Sequence, residues 1–142
     1  MKNQFSAVVR YTKQNDNGTF KRVSETYLFT AESFTDAEAR VFEEVGSFIG
    51  GEFVVSRIER KQFEDVIFGP VQEELFFECR VGIVSNDPDS MTEKKVKMNF
   101  LVNAASVEDA SKKVSSICSE VLREFEVEKV TISKIIEVFI NN

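Results

Sequence analysis

The sequence predicts an α+β protein: a tandem duplication of a ββαβ unit, with an antiparallel sheet and one helix per repeat on one face. Three observations predict it. Residues 21–41 lie over residues 94–114 at a constant offset of 73, with eight of the 21 positions identical. Each copy opens with two segments of strand periodicity around a turn. Each hairpin then runs into a capping signal followed by a helical apolar stripe. The division expected is a first repeat over 1–70 and a second over 71–142, forming one compact unit with a shared core about a pseudo-twofold axis. A repeat of this size is close to the minimum for an independent core.

The elements follow in order. Phe5, Ala7, Val9 and Tyr11 alternate with Ser6 and Arg10, which predicts a half-buried strand. Asn15-Asp16-Asn17-Gly18 has turn chemistry, because Asn-Gly accepts a positive φ. The chain from Phe20 to Phe29 returns as the second strand, with Val23, Tyr27 and Phe29 on one face. Ser33 and Asp36 form a capping box: the hydroxyl accepts the N3 amide proton and the carboxylate sits at the positive end of the helix. Phe34, Ala37, Val41, Val45, Phe48 and Ile49 make the helical stripe, and Gly50-Gly51 offers a left-handed stop. Phe53 to Arg60 is extended. Residues 63–68 form a further strand or the bent end of the same one.

The second copy repeats this plan. Phe77, Cys79, Val81 and Ile83 share a strand face, residues 86–90 turn, and Val96, Met98, Phe100 and Val102 return. Ser106 and Asp109 cap a helix whose stripe is Val107, Ala110, Val114, Ile117, Cys118, Val121 and Leu122. No glycine stops it, so the helix is expected to reach about Phe125. Val127 to Ile132 and Ile135 to Ile140 are extended.

Composition excludes several functions. The net charge of −6 (18 basic against 24 acidic residues) opposes nucleic acid and anionic membranes at long range. There is no histidine, and Cys79 and Cys118 form no CxxC pair. Zinc and haem sites draw on such residues, so no metal or other cofactor is expected. The first residues lack the apolar run of a signal peptide, and no stretch approaches the roughly 18 apolar residues of a membrane span. The expectation is a cytoplasmic protein away from membranes.

No catalytic residues emerge. The adjacent carboxylates Glu43-Glu44, Glu64-Asp65 and Glu73-Glu74 point in different directions, whereas acid–base work needs two converging in a cleft. Asp87-Pro88-Asp89 lacks the glycine and distal glutamate of a calcium loop. Cys79 and Cys118 fall on apolar faces, where a thiol behaves as a small hydrophobe.

Ser33-Phe-Thr-Asp-Ala-Glu-Ala-Arg40, with the preceding Tyr27-Leu28 strand and the following Gly51-Glu-Phe53, resembles a small family found in Bacteroidetes and their phages or mobile elements. That family is known as a domain of unknown function. The resemblance extends over nearly the whole chain, through Phe76–Val84 to Ile136-Glu-Val-Phe139. It implies a bacterial or phage setting and assigns no catalytic residue or ligand.

The expected function is therefore a non-enzymatic binding or assembly protein, its partner another protein or a second copy of itself. Leu28, Leu101, Val8 and Val84 stand on the nominally polar strand face, where they are expected to bury either against the other repeat or against a partner, and edge strands invite pairing with another chain. The alternative is a nucleic-acid-binding accessory protein. Arg10 and Arg22 in the first repeat, and Arg80, Lys95 and Lys97 in the second, fall on the sheet face opposite the helices. Such a polar face is ordinarily the wet side of a sheet, and single-strand binders add stacking aromatics there. Phe76 is the one aromatic placed for that.

Overall fold

The computed structural model describes residues 3–87 and 92–140. Its elements run β1 (Asn3–Gln14), β2 (Phe20–Ala31), α1 (Phe34–Gly46), β3 (Phe53–Lys61), β4 (Asp65–Ile67), β5 (Leu75–Asp87), β6 (Thr92–Ala104), α2 (Val107–Val121), β7 (Phe125–Ile132) and β8 (Ile135–Phe139). The α+β class holds. The strands form two four-stranded sheets of matching layout, ordered β3-β1-β2-β8 and β4-β6-β5-β7.

The sheets are mixed, not wholly antiparallel as the hairpin pattern predicts. β1 pairs antiparallel with β2 and β3, and β5 with β6 and β7. β8 adds to β2 in parallel, and β4 adds to β6 in parallel. The tail strand of each repeat thus completes the sheet of the other. Two compact units result. Residues up to Gln62 and from Lys134 form the first, and Phe63–Ser133 the second.

In the first unit α1 buries Ala37, Val41 and Val45. The last two pack on Ala7, Val9, Tyr27 and Phe29, with Phe139 of β8 at the margin. In the second, Ala110, Val114 and Cys118 of α2 pack on Phe77, Cys79, Val81, Phe100 and Val102, with Ile67 of β4. These are the inward faces that the periodicity predicts. Leu28 and Leu101 lie on the opposite sheet faces yet are also buried, at 1% and 0% exposure.

The helix starts follow the sequence closely. Ser33 is extended (φ −153°) and its hydroxyl accepts the Asp36 amide proton at 3.1 Å; Ser106 (φ −157°) does the same for Asp109. Each aspartate reaches back one turn, to the amide of Glu32 at 3.0 Å or of Ala105 at 2.9 Å. That bond, followed by one from Lys113, holds the Asp109 carboxyl below the usual carboxylate range.

The helix ends differ from expectation. α1 stops at Gly46, where the Ser47 amide turns back to Glu44 and Val45; Gly50-Gly51 is not left-handed. α2 stops at Val121, because Leu122 is already extended and leads toward β7. In the first hairpin Gly18 takes a φ of 88°, as Asn-Gly chemistry requires, and Asn15 accepts and donates across the turn. Of the second turn, residues 88–91 lie outside the described residues, as does the Asp87-Pro88-Asp89 loop beyond Asp87. Among the described residues, no helix is long and apolar enough to cross a membrane.

Candidate functional site

The two units share one irregularity. Val8 pairs with Arg57 and Val9 with Val55, so Ser56 is an extra residue in edge strand β3. Arg80 pairs with Lys129 and Val81 with Val127, so Glu128 is the extra residue in edge strand β7. Both are β-bulges at the same place in the sheet, and a bulge bends its strand and re-aims side chains. Each leaves a shallow open groove against the first turns of the helix. Phe34, Thr35 and Glu38 face Val55, Ser56, Arg57 and Ile58 in the first unit. Val107, Glu108, Ser111 and Lys112 face residues 127–130 in the second. The grooves enclose ≈ 360 Å³ and ≈ 500 Å³.

The first helical residue in each groove is apolar and half in water, Phe34 at 54% and Val107 at 51% exposure. Apolar residues and charges of both signs line each groove, and that mixture suits a protein segment. The bulges are legible in the sequence in hindsight. Val55-Ser-Arg-Ile58 and Val127-Glu-Lys-Val130 space their inward residues by three where a regular strand spaces them by two.

The basic face divides between the units. Arg10 and Arg22 are exposed on the face away from α1, and among the described residues neither has an ion pair or side-chain hydrogen bond. In the second unit the bulge turns Glu128 onto the corresponding face. Its carboxylate lies 2.8 Å from Lys95 Nζ and 3.5 Å from Arg80 Nε. Gly82 makes room for it: a Cβ there would stand 2.7 Å from Glu128 Oε2 and 3.0 Å from Lys95 Cε. The hydrogen bond from Lys95 holds the Glu128 carboxyl below its ordinary range, and the same bond raises Lys95. Lys97 is exposed beside this cluster. Phe76 is 3% exposed and is closed to a stacking base.

One polar group on the helix side of the first sheet was not legible as a site. Tyr11 and Tyr27 both donate to the Glu25 carboxylate, Tyr27 at 3.3 Å. The hydrogen bond to Glu25, then burial, pushes the Tyr11 phenol up to about 12. Burial, then the Glu25 charge, raises Tyr27. In the second sheet Ile83, Met98 and Phe100 stand at the matching register positions, so the fold does not require the triad. The signal was Glu25 itself, in phase between Val23 and Tyr27.

Of the residues suited to association, Val84 stays 39% exposed and Val8 is half-buried, while both leucines are covered. The thiols of Cys79 and Cys118 are free and buried. Burial pushes Cys79 up to about 11 and raises Cys118, which leaves little of the nucleophilic thiolate near neutral pH. Glu44 pairs with Arg40 at 3.6 Å, away from Glu43. Among the described residues, no group of three Cys, Asp or Glu side chains converges as a metal site.

Matched sheets, matched helix caps and matched grooves define a duplicated, two-unit α+β protein. The chain belongs to the family described as a domain of unknown function (DUF4494), which matches residues 3–141. No curated protein and no solved structure matches it.

Proposed function

We propose that the chain is a non-enzymatic binding or assembly protein of a bacterium or one of its phages, acting in the cytoplasm. It seats a segment of a partner protein in the grooves beside the bulged edge strands. The observation behind this reading is the recurrence of one groove in both units with an exposed apolar residue at the same corner, Phe34 and Val107. A helix-start side chain held half in water costs solvation that a partner would recover. The groove walls differ in charge, Glu38 and Arg57 against Glu108, Lys112 and Lys129, so the two sites discriminate between segments.

A photo-crosslinking residue in place of Phe34 or Val107, expressed in source cells, tests this. A discrete protein adduct at either position supports it. A strict monomer by light scattering with no discrete adduct at either position overturns it.

The competing reading is a nucleic-acid-binding accessory protein using Arg10, Arg22, Arg80, Lys95 and Lys97. Arg10 and Arg22, which have no ion pair among the described residues, favour it, and the hold of Glu128 on Arg80 and Lys95 opposes it. Oligonucleotide anisotropy at low and high salt separates the readings, since phosphate contacts strengthen at low salt. Binding that Arg10→Ala/Arg22→Ala abolishes would make this the function; none at low salt retires it.

A further inference from the structure

The fourth strand of each sheet has to come from another repeat, and the connector lengths show why. β3 and β8 both run parallel to β2 in one sheet, with β8 three positions from β3. β3 ends with Lys61 beside Gln4, level with Thr30 of β2; β8 begins with Ile135 beside Thr26. A strand following β3 into that slot would cross about 14 Å of sheet and return about 13 Å along it. The straight line is about 19 Å, through the sheet itself. Only Gln62, Phe63 and Glu64 separate β3 from β4, a reach of about 14 Å fully extended.

The second sheet repeats the restriction. β7 ends with Ile132 beside Phe77, level with Val102, and β4 begins with Asp65 beside Phe100. The straight path is about 16 Å. Ser133 and Lys134 alone join β7 to β8, a reach of about 11 Å. No tail strand can therefore close its own repeat's sheet.

The slot cannot stand empty without cost. Tyr27, Leu28 and Phe29 on β2 are all at most 2% exposed. Phe139 of β8 stacks on Phe29 with ring centroids 5.0 Å apart. Any copy of the segment Ile135–Phe139 meets the same register and the same rings.

We infer that the β2 edge is an exchange interface, and that two copies of this chain form a dimer in which β8 of each completes the first sheet of the other. The contacts are the same whether the donor is internal or external. Those contacts are the β2–β8 pairing itself, so the balance follows protein concentration and the ease of opening the Ser133–Lys134 connector. The partner is a second copy because the slot takes a parallel strand with this apolar sequence in this register. The inference stands on strand topology and is independent of the grooves.

Leu28 and Val138 are direct partners across β2 and β8. Full-length Leu28→Cys and Val138→Cys chains, each checked for native circular dichroism, are mixed at high concentration, warmed below the melting point, cooled and oxidised. A disulfide-linked heterodimer of doubled mass is expected. Ser24→Cys, on the same strand but outside the β8 pairing, should give at least tenfold less when mixed with Val138→Cys. The double variant Leu28→Cys/Val138→Cys should close within one chain and stay monomeric. The inference fails if the double variant closes internally while the mixed single variants give no heterodimer. It fails equally if the Ser24→Cys pair cross-links as well as the Leu28→Cys pair.

Discussion

Replacing Asn103 with alanine removes a clamp on the segment that leads from β4 into β5. The side chain is fully buried. Its Oδ1 accepts the Glu73 amide at 2.8 Å, and its Nδ2 donates to the carbonyls of Glu73 at 2.9 Å and Leu75 at 3.0 Å. Three hydrogen bonds at about 1 kcal/mol net each give about 3 kcal/mol. Leu75 is 40% exposed, so water recovers part of its bond. The expected loss is about 2–3 kcal/mol. For a chain of this length that corresponds to a fall in Tm of about 7–10 °C. Urea unfolding of the full chain reads the loss, and amide exchange at Glu73 locates it. Asn103→Asp separates bonding from volume. It keeps the size and the Glu73 amide bond but aims a carboxylate at two carbonyls, so it should be at least as damaging. The exposed Asn99→Ala is the control. A loss under about 0.5 kcal/mol for Asn103→Ala, or one equal to the control, would refute the clamp.

Three further outcomes are expected. Ser106→Ala should cost about 1 kcal/mol through loss of the α2 cap, and Ser33→Ala a similar amount in α1, both read by urea unfolding. Alkaline absorbance titration should show little tyrosinate at pH 10, since the chain's two tyrosines, Tyr11 and Tyr27, both titrate high. A phenol raised on folding stabilises fully below its unfolded value near 10 and loses that contribution as pH rises through the folded value. Glu25→Gln should bring Tyr11 down from about 12. Gly82→Ala should push the Glu128 carboxylate off Lys95 and return its pKa toward the ordinary value, read by carboxyl NMR titration. A lowered carboxyl stabilises above its unfolded pKa and loses that as pH falls through the folded one, so the variant should lose less stability in acid.

Much of the fold was legible because its signals are local. The caps at Ser33 and Ser106 need only residues three positions apart. The faces carrying Val9, Phe29, Val81 and Val102 follow from a period of two. The candidate site was less legible. The bulges show in the sequence only as inward residues spaced by three, Val55/Ile58 and Val127/Val130, and pairing with β1 and β5 is what identifies that break as an extra residue. Glu128 reads as one more surface acid until Gly82 is placed beneath it. Asn103 reads as a polar interruption of an apolar strand until Glu73 and Leu75 arrive to bond it.

By itself the sequence determined the duplicated α+β plan, the two hairpins, the two capped helices and their inward faces. Each of these is settled by contacts within a few residues or by the phase of the apolar pattern. The tertiary structure decided where the tail strands go. Asp65–Ile67 and Ile135–Phe139 keep the same apolar pattern in whichever sheet they enter, so the pattern names no partner. The choice belongs to connectors of three and two residues, too short to carry a parallel strand back across its own sheet.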